Sequence, residues 1–471
     1  MTQRIVVIGA GPGGYVAAVR AGQLGAEVTV IEKDNVGGTC LNRGCIPSKV
    51  LKATADMFDH FRRAAEFGIQ IPNPFRLDMK RLAIRKETVI KNQAQGILKL
   101  FKKHGIRYVK GDALRFKPGE VIVSSEHGES MEVSWNKLIL ATGSAPAELA
   151  HLPFDGKRIL SSNEALFLDE LPDSILIIGG GAVGCEFASI FSAFGSRVTL
   201  VEAMPRLLPL PSVDGDCSKV LQREMKKRKV KVLLGATVGS VEQDSGKLRV
   251  IIDTTAQQGG ESWRIEPDCV LVCIGRKPNI LPEGLEEMGV TTDDRGWVIA
   301  NERMETAAED VYAIGDMLGP SRIMLAHVAS VEGMIAAENA MGKDRKMDYR
   351  AAPSVVFTSP EVANVGLTES QALQNGRRAR SDTVLFRTVG KAQVTGDIAG
   401  EAKIVSSADS GEILGVHIIG ARASELIAEA TLAMRMNATV AELAETIHAH
   451  PTLSEVMLET SLAAIDRPLH A

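Results

Sequence analysis

One stretch of this chain occurs twice, and the two copies keep a single spacing. The segment RIVVIGAGPGG (Arg4–Gly14) is a β-branched run closed by glycines 9, 11 and 14, and SILIIGGGAVG (Ser174–Gly184) repeats it with glycines 179, 181 and 184. The likeness continues through LGAEVTVIE, which ends at Glu32, and FGSRVTLVE, which ends at Glu202. Every correspondence has an offset of 170 residues (179 − 9, 202 − 32). A glycine-rich turn alone is a weak signal. A strand, a glycine turn, a helical stretch, a second strand and a terminal acid at one spacing form a strong one, because every part of a βαβ unit is present in order.

The chemistry of such a unit fixes its ligand class. The first glycine makes the tight turn, the second lets backbone approach a pyrophosphate, and the third lets helix lie close on strand. The helix N-terminus turns partial positive charge toward the phosphates. Glu32 and Glu202 end their second strands, where a carboxylate accepts hydrogen bonds from ribose hydroxyls and repels a 2′-phosphate. Both sites therefore favour FAD or NAD(H) over NADP(H). Gly9, Gly11, Gly14 and Glu32 are expected at one, and Gly179, Gly181, Gly184 and Glu202 at the other. Two dinucleotides in one chain imply two carriers exchanging a hydride.

At 471 residues the chain is too long for one core, and three or four domains are expected. With 45% apolar and 24% charged residues it has the composition of an ordinary globular protein, and a net charge of −4 gives no reason to expect nucleic acid. The basic run Lys226–Lys229 reads as a solvated helix end. No window holds the roughly 18 apolar residues of a membrane span, and with a strand beginning at Arg4 no signal peptide is expected. A cytoplasmic location is expected.

Of six cysteines, two lie close together in GGTCLNRGCIPSK (Gly37–Lys49). In a regular helix, residues five apart have Cα atoms roughly 8.6 Å apart. A disulfide needs about 4.4–6.8 Å. Bonding Cys40 to Cys45 would thus require a tightened backbone, which Gly44 and Pro47 can tolerate or enforce. In a reducing compartment such a pair reads as catalytic or metal-binding. A zinc site needs about four ligands. Cys185 and Cys217 stand alone, and Cys269 and Cys273 fall in the apolar run CVLVCIGR, so no metal is expected.

The segments GAGPGGYVAA, GGTCLNRGCIPSK, LILATGS, IIGGGAVGCEFA, YAIGDM, MLAHVASVEG and HAHPTLSE follow one another along the chain. In that order they resemble the FAD-dependent pyridine nucleotide–disulfide oxidoreductases over essentially the whole length. The closest likeness is to the branch that oxidises protein-bound dihydrolipoamide with NAD⁺. The resemblance implies an α/β fold with two Rossmann-like dinucleotide-binding domains, for FAD and NAD, plus a C-terminal α+β dimerisation domain. The expected boundaries are 1–147 for the first part of the FAD domain, 148–274 for the NAD domain, 275–346 for the return to the FAD domain, and 347–471 for the dimerisation domain. Leu138–Ser144 and Cys269–Arg276 read as matching strands on either side of the insert, and alternating strands followed by helical stretches begin near Lys346.

By the same resemblance, Cys40 and Cys45 form the redox disulfide. Cys40 exchanges with the substrate dithiol, and Cys45 lies against the flavin. Lys49, one helical turn beyond Cys45, would steady negative charge there. His450 would be the base that deprotonates the dithiol, reaching the cysteines of the other subunit, with Glu455 orienting its ring. His448 is assigned to structure. Asp316, Gly111, Thr142, Gly143, Ser144 and the run Met324, Leu325, Ala326, His327 are implied FAD contacts. Glu186, Val238 and Gly275 are implied NAD contacts. The implied partners are a second copy of the chain and a lipoylated domain of a 2-oxoacid dehydrogenase or glycine cleavage complex.

Two departures stand out. The ending SLAAIDRPLHA has no cysteine, unlike mercuric reductases and large thioredoxin reductases, and Asn364 replaces a bulkier residue. Two rival readings remain: a glutathione-reductase-like enzyme, which Glu202 disfavours because such enzymes use NADPH, and a non-catalytic flavoprotein subunit.

Overall fold

The computed structural model describes residues 2–72, 75–125, 128–244, 247–254, 260 and 262–470. The chain divides into two compact units, each assembled from three separate stretches.

The first unit comprises Met1–Leu51, Asp78–Ala147 and Arg276–Tyr349. Its seven-stranded sheet has the order Val311–Ala313, Lys137–Leu140, Arg4–Ile8, Glu27–Glu32, Arg107–Lys117, Glu120–Ser125, Ser130–Ser134. The first five strands run parallel and the last two turn antiparallel. In Arg4–Ile8 every residue after the arginine is buried, which is why IVVI is an unbroken apolar run rather than an alternation. Its neighbours are Glu27–Glu32 on one side and Lys137–Leu140 on the other. Strand order reverses here, and such a reversal opens a crevice beyond the carboxyl ends of the strands.

The expected strand Leu138–Ser144 ends at Leu140, and its counterpart Cys269–Arg276 ends at Val272. Beyond each comes a three-residue strand, Ser144–Pro146 and Arg276–Pro278, and these two pair antiparallel. The chain leaves and re-enters the first unit through this ribbon. Strands so short carry no periodicity that could be read beforehand.

The second unit comprises Lys52–Leu77, Glu148–Gly275 and Arg350–Ala471. It holds a parallel sheet in the order Lys231–Leu234, Arg197–Glu202, Ser174–Ile178, Cys269–Val272, Ile159–Leu160, and an antiparallel sheet of Ala236–Asp244, Lys247–Thr254 and Ser262–Ile265. A third, antiparallel sheet runs Ser354–Val356, Glu361–Gly366, Ile413–Gly420, Glu401–Ser407, Ala379–Leu385. One face of the third sheet gives Ala363, Val365, Ile404, Val416 and Ile418 to a core shared with Ile427, Val456 and Met457 of the helices Ala423–Arg435 and Glu455–Ala464. The alternate positions Asn364, His417 and Lys403 stand in register across three strands and are all buried. The architecture is α/β with two dinucleotide-type sheets, one wholly parallel and one parallel with an antiparallel extension, and a C-terminal α+β region.

Candidate active site

The two glycine turns are built alike. Gly9 has φ +99°, and a Cβ there would lie 2.4 Å from the Ala141 carbonyl oxygen; Gly179 has φ +106°, with the Cys273 oxygen at 2.3 Å. A Cβ on Gly14 or Gly184 would sit 1.9 Å from the carbonyl oxygen of Gly9 or Gly179 respectively. Only glycine fits at these four positions. The helices Pro12–Gln23 and Ala182–Phe194 start at Gly11 and Gly181, and neither has a side-chain cap. Their first-turn N–H groups thus face the crevice without a side-chain acceptor, as a pyrophosphate requires.

The acids match as well. Glu32 accepts the N–H of Ala10 on Oε2 and of Asp34 on Oε1, both at 2.7 Å. Glu202 accepts the N–H of Gly180 at 2.6 Å and of Met204 at 2.7 Å. Two backbone bonds fix each carboxylate and leave its remaining lone pairs for ribose hydroxyls. These residues fit two dinucleotides.

Around the first turn, Gly111 lies one residue past Lys110, the register partner of Glu32. Ser144 donates its hydroxyl to Asp316 Oδ2 at 3.0 Å and receives Arg276 Nε at 2.6 Å, while a second Arg276 nitrogen binds the Ser144 carbonyl at 2.7 Å. Burial pulls the Arg276 guanidinium down, against the pull of Asp316. Asn279 holds the Thr142 carbonyl at 2.7 Å. Glu332 accepts the N–H of Gly315 at 2.7 Å and the Tyr349 hydroxyl at 2.6 Å, which fixes the turn that presents Asp316. The sequence reading gave no site role to Arg276, Asn279 or Glu332; the polar residues after CVLVCIG were the available signal for the first two, and Glu332 lies within MLAHVASVEG. Gly143 adopts φ +68° in open space. Met324 and Leu325 lead into the helix Ala326–Ala340, so Ala326 and His327 form its uncapped first turn.

The cysteine stretch breaks at Gly44. Helix Gly38–Arg43 ends there and helix Cys45–Arg62 begins directly after it, carrying Cys45 and Lys49 one turn apart. A Cβ on Gly44 would lie 3.0 Å from the Thr39 carbonyl oxygen and 3.3 Å from Cys40 Cα, so the chain folds back on the first cysteine. As thiols, Cys40 and Cys45 are hydrogen-bonded to each other; this bond first, and then burial, push the Cys40 thiol up, while Lys49 acts in the opposite direction. Of the other four cysteines, Cys185, Cys217 and Cys269 are buried and Cys273 is half-buried; burial raises the Cys185, Cys217 and Cys273 thiols and pushes Cys269 up to about 12. Among the described residues no group of three histidine, cysteine or acidic side chains is placed to hold a metal ion.

In the second unit His450 Nδ1 lies 2.8 Å from Glu455 Oε1, with the imidazole 76% exposed. The His448 side chain is 4% exposed and closed on both nitrogens, by Glu429 at 2.7 Å and the Thr446 carbonyl at 2.9 Å. Glu186 accepts the N–H of Phe357 at 2.9 Å. Gly275 has φ +121° with no atom near its missing Cβ. The Val238 side chain is buried in the core of the second unit, so only its backbone could meet a nucleotide. Among the described residues no helix is long and apolar enough to cross a membrane.

The family model for pyridine nucleotide-disulphide oxidoreductases matches residues 3–333, and the model for that family's dimerisation domain matches residues 352–461. A dihydrolipoyl dehydrogenase of Chlamydia muridarum is 42% identical over 467 residues, covering 99% of this chain and 97% of the relative. One of Thermus scotoductus is 42% identical over 471 residues, covering 100% and 99%. The crystal structure of LpdA from Mycobacterium tuberculosis is similar with a TM-score of 0.90 at 28% identity, covering 98% of this chain and 99% of that one. Matched along nearly its whole length, and with a duplicated dinucleotide turn and a thiol pair at a broken helix, the chain belongs to the pyridine nucleotide-disulphide oxidoreductase family, whose members use FAD and NAD(H).

Proposed function

We propose that the chain is a dihydrolipoyl dehydrogenase that oxidises the dihydrolipoyl group of a lipoylated protein domain, in the cytoplasm, as a homodimer. The observation that carries this reading is the contact between Cys40 and Cys45 across the break at Gly44, in a chain whose full-length relatives bear that name.

Residues 1–147 and 275–346 would form the FAD domain, with Gly9, Gly11, Gly14 and Glu32 on the adenosine diphosphate. Gly111, Thr142, Gly143, Ser144, Asp316 and Met324–His327 would line the rest of that cofactor. Residues 148–274 would bind NAD⁺ through Gly179, Gly181, Gly184, Glu202, Glu186 and the Val238 backbone, with Gly275, immediately after that span, as a further contact. Residues 347–471 would pair two copies, so that His450 of the partner subunit serves the cysteines. Bound FAD supplies the two-electron relay between the dithiol and NAD⁺.

The residues do the rest. His450 takes a proton from one substrate thiol, and the resulting thiolate attacks Cys40 Sγ. In the oxidised enzyme, where the two cysteines would be joined as the redox disulfide, this attack breaks the Cys40–Cys45 S–S bond and Cys45 leaves as a thiolate. The second substrate thiol then attacks the substrate's own sulfur in the mixed disulfide, closes the lipoyl ring and passes its proton to the Cys40 thiolate it releases. Two electrons and two protons have passed from the substrate to the enzyme, with one proton on His450, one on Cys40, and Cys45 left as a thiolate. Lys49, whose ammonium acts on the cysteine pair, steadies the negative charge.

The test is NADH formation from dihydrolipoamide and NAD⁺. Alkylating the reduced enzyme should stop it, and NADP⁺ should be a poor substitute. Unchanged turnover after alkylation, or a marked preference for NADP⁺ and glutathione, would overturn the assignment.

A further inference from the structure

We infer that Lys403, on the C-terminal sheet, is a positioning residue for NAD(H): it fixes the segment that shapes the adenosine side of the second glycine turn. The inference rests on the proposal that this turn binds NAD⁺.

Lys403 lies on the strand Glu401–Ser407, and its ammonium reaches Asp214 Oδ1 at 2.9 Å and also Asp216 Oδ2. The side chains of Lys403 and Asp214 are each 10% exposed. Burial by itself lowers the Lys403 pKa; the bonds to Asp216 and Asp214 outweigh burial and hold it raised, so the ion pair is intact. Asp214 is also the N-cap of helix Gly215–Lys227, accepting the N–H of Asp216 at 2.9 Å on the oxygen that Lys403 binds.

From that cap a chain of hydrogen bonds leads back to the nucleotide turn. Arg206 joins the loop to the helix, donating to the carbonyls of Val213 at 3.0 Å and Leu210 at 2.9 Å and to Ser218 Oγ at 2.9 Å. Ser218 in turn holds the Leu207 carbonyl at 2.7 Å. Leu208, in the left-handed region at φ +48°, donates its N–H to Gly180 at 2.8 Å. Gly180 and Met204 are the two residues whose N–H groups hold Glu202. Every segment between Lys403 and Glu202 is therefore fastened to the next.

The same sheet reaches the other half of the site. Lys403, His417, Asn364 and Ser354 stand opposite one another across four strands, and the strand Ser354–Val356 leads directly to Phe357, whose N–H binds Glu186. Thus one sheet holds the acid implied near the nicotinamide and the loop beside the ribose acid. An apolar contact would join the two surfaces without desolvating charges; a buried ion pair instead demands one geometry.

The experiment uses the FAD-loaded, full-length enzyme. Lys403→Met alone leaves a buried carboxylate without its cation, and the protein can fail to fold. Lys403→Met/Asp214→Asn removes both charges and keeps a good helix cap, since asparagine caps as well as aspartate. The double variant should bind NADH about 3- to 30-fold more weakly, as followed by NADH fluorescence, with the KM for NAD⁺ raised in step. Its kcat at saturating NAD⁺ and its rate of flavin bleaching by dihydrolipoamide without NAD⁺ should match the wild type. Glu202→Gln serves as the reference. If Glu202→Gln leaves NADH affinity unchanged, the nucleotide assignment of the second turn fails. If Glu202→Gln weakens NADH binding and the double variant does not, the role of Lys403 fails. An equal loss in flavin bleaching would likewise overturn it, as damage to the fold rather than to the NAD site.

Discussion

His450 Nδ1 lies 2.8 Å from Glu455 Oε1, and the other oxygen of that carboxylate accepts the N–H of Thr452 at 2.9 Å. Burial pushes the Glu455 carboxyl up, but the bonds from His450 and Thr452 outweigh it, and the group stays below the ordinary carboxylate range. A fixed anion on Nδ1 keeps the proton on that nitrogen and leaves Nε2 as the base. His450→Gln should slow dihydrolipoamide oxidation about 10²–10⁴-fold at neutral pH, the usual worth of a positioned base. Steady-state rates near those of the wild type would rule out this role.

Cys45→Ser should abolish lipoamide-linked turnover and retain FAD. The dinucleotide contacts proposed for the first unit are the glycine turn, Glu32 and the Asp316 region, none of which needs the sulfur of Cys45. Flavin absorbance and stoichiometry measured after purification check this. A colourless protein would mean that Cys45 holds the cofactor in place.

Gly184→Ala and Gly14→Ala should separate the two nucleotide sites. Each added methyl would meet a carbonyl oxygen at 1.9 Å, so the turn must open. Overpacking of this kind costs about 1–3 kcal/mol where the backbone must shift. The Gly184 variant should retain FAD and lose at least roughly tenfold in NADH affinity, the equivalent of about 1.4 kcal/mol. The Gly14 variant should instead purify with less FAD. Equilibrium binding of NADH and the flavin-to-protein ratio read the two outcomes; a Gly184 variant with wild-type NADH affinity would contradict the proposed site.

Much of this was legible in the chain because the relevant signals are local. The offset of 170 residues between Glu32 and Glu202 is matched in space by two equivalent pairs of backbone bonds, on Ala10 and Asp34 in one unit and on Gly180 and Met204 in the other. Gly44 does break the helix at the cysteine pair, a consequence of five-residue spacing that simple helix geometry exposes. What stayed hidden involves partners far apart in sequence. Arg276 meets Ser144 across 132 positions, and Lys403 meets Asp214 across 189. A charged residue in a strand shows nothing of its partner until the sheet is assembled, and the short paired strands around Ser144 and Arg276 have no period to detect.

His417 gives the last prediction. It is fully buried beside Lys403, with Nε2 hydrogen-bonded to the Leu367 carbonyl at 3.0 Å and Nδ1 without a partner among the described residues. Burial, chiefly, pulls its pKa below the ordinary 6.5; the Leu367 bond and Asp214 act the other way, and Lys403 adds to the lowering. Well above pH 6.5 the imidazole is uncharged in both folded and unfolded chains and its titration contributes nothing. As the pH falls through 6.5 the unfolded chain takes up a proton that the folded chain refuses, so stability drops until the depressed folded value is reached. The slope from this one group is at most about 1.4 kcal/mol per pH unit. His417→Gln keeps a donor for Leu367 and removes the titration. Between about pH 7 and pH 5 the variant should therefore lose less thermal stability than the wild type. Parallel loss of Tm in the two proteins over that interval would show that His417 takes up its proton as readily in the folded chain as in the unfolded one.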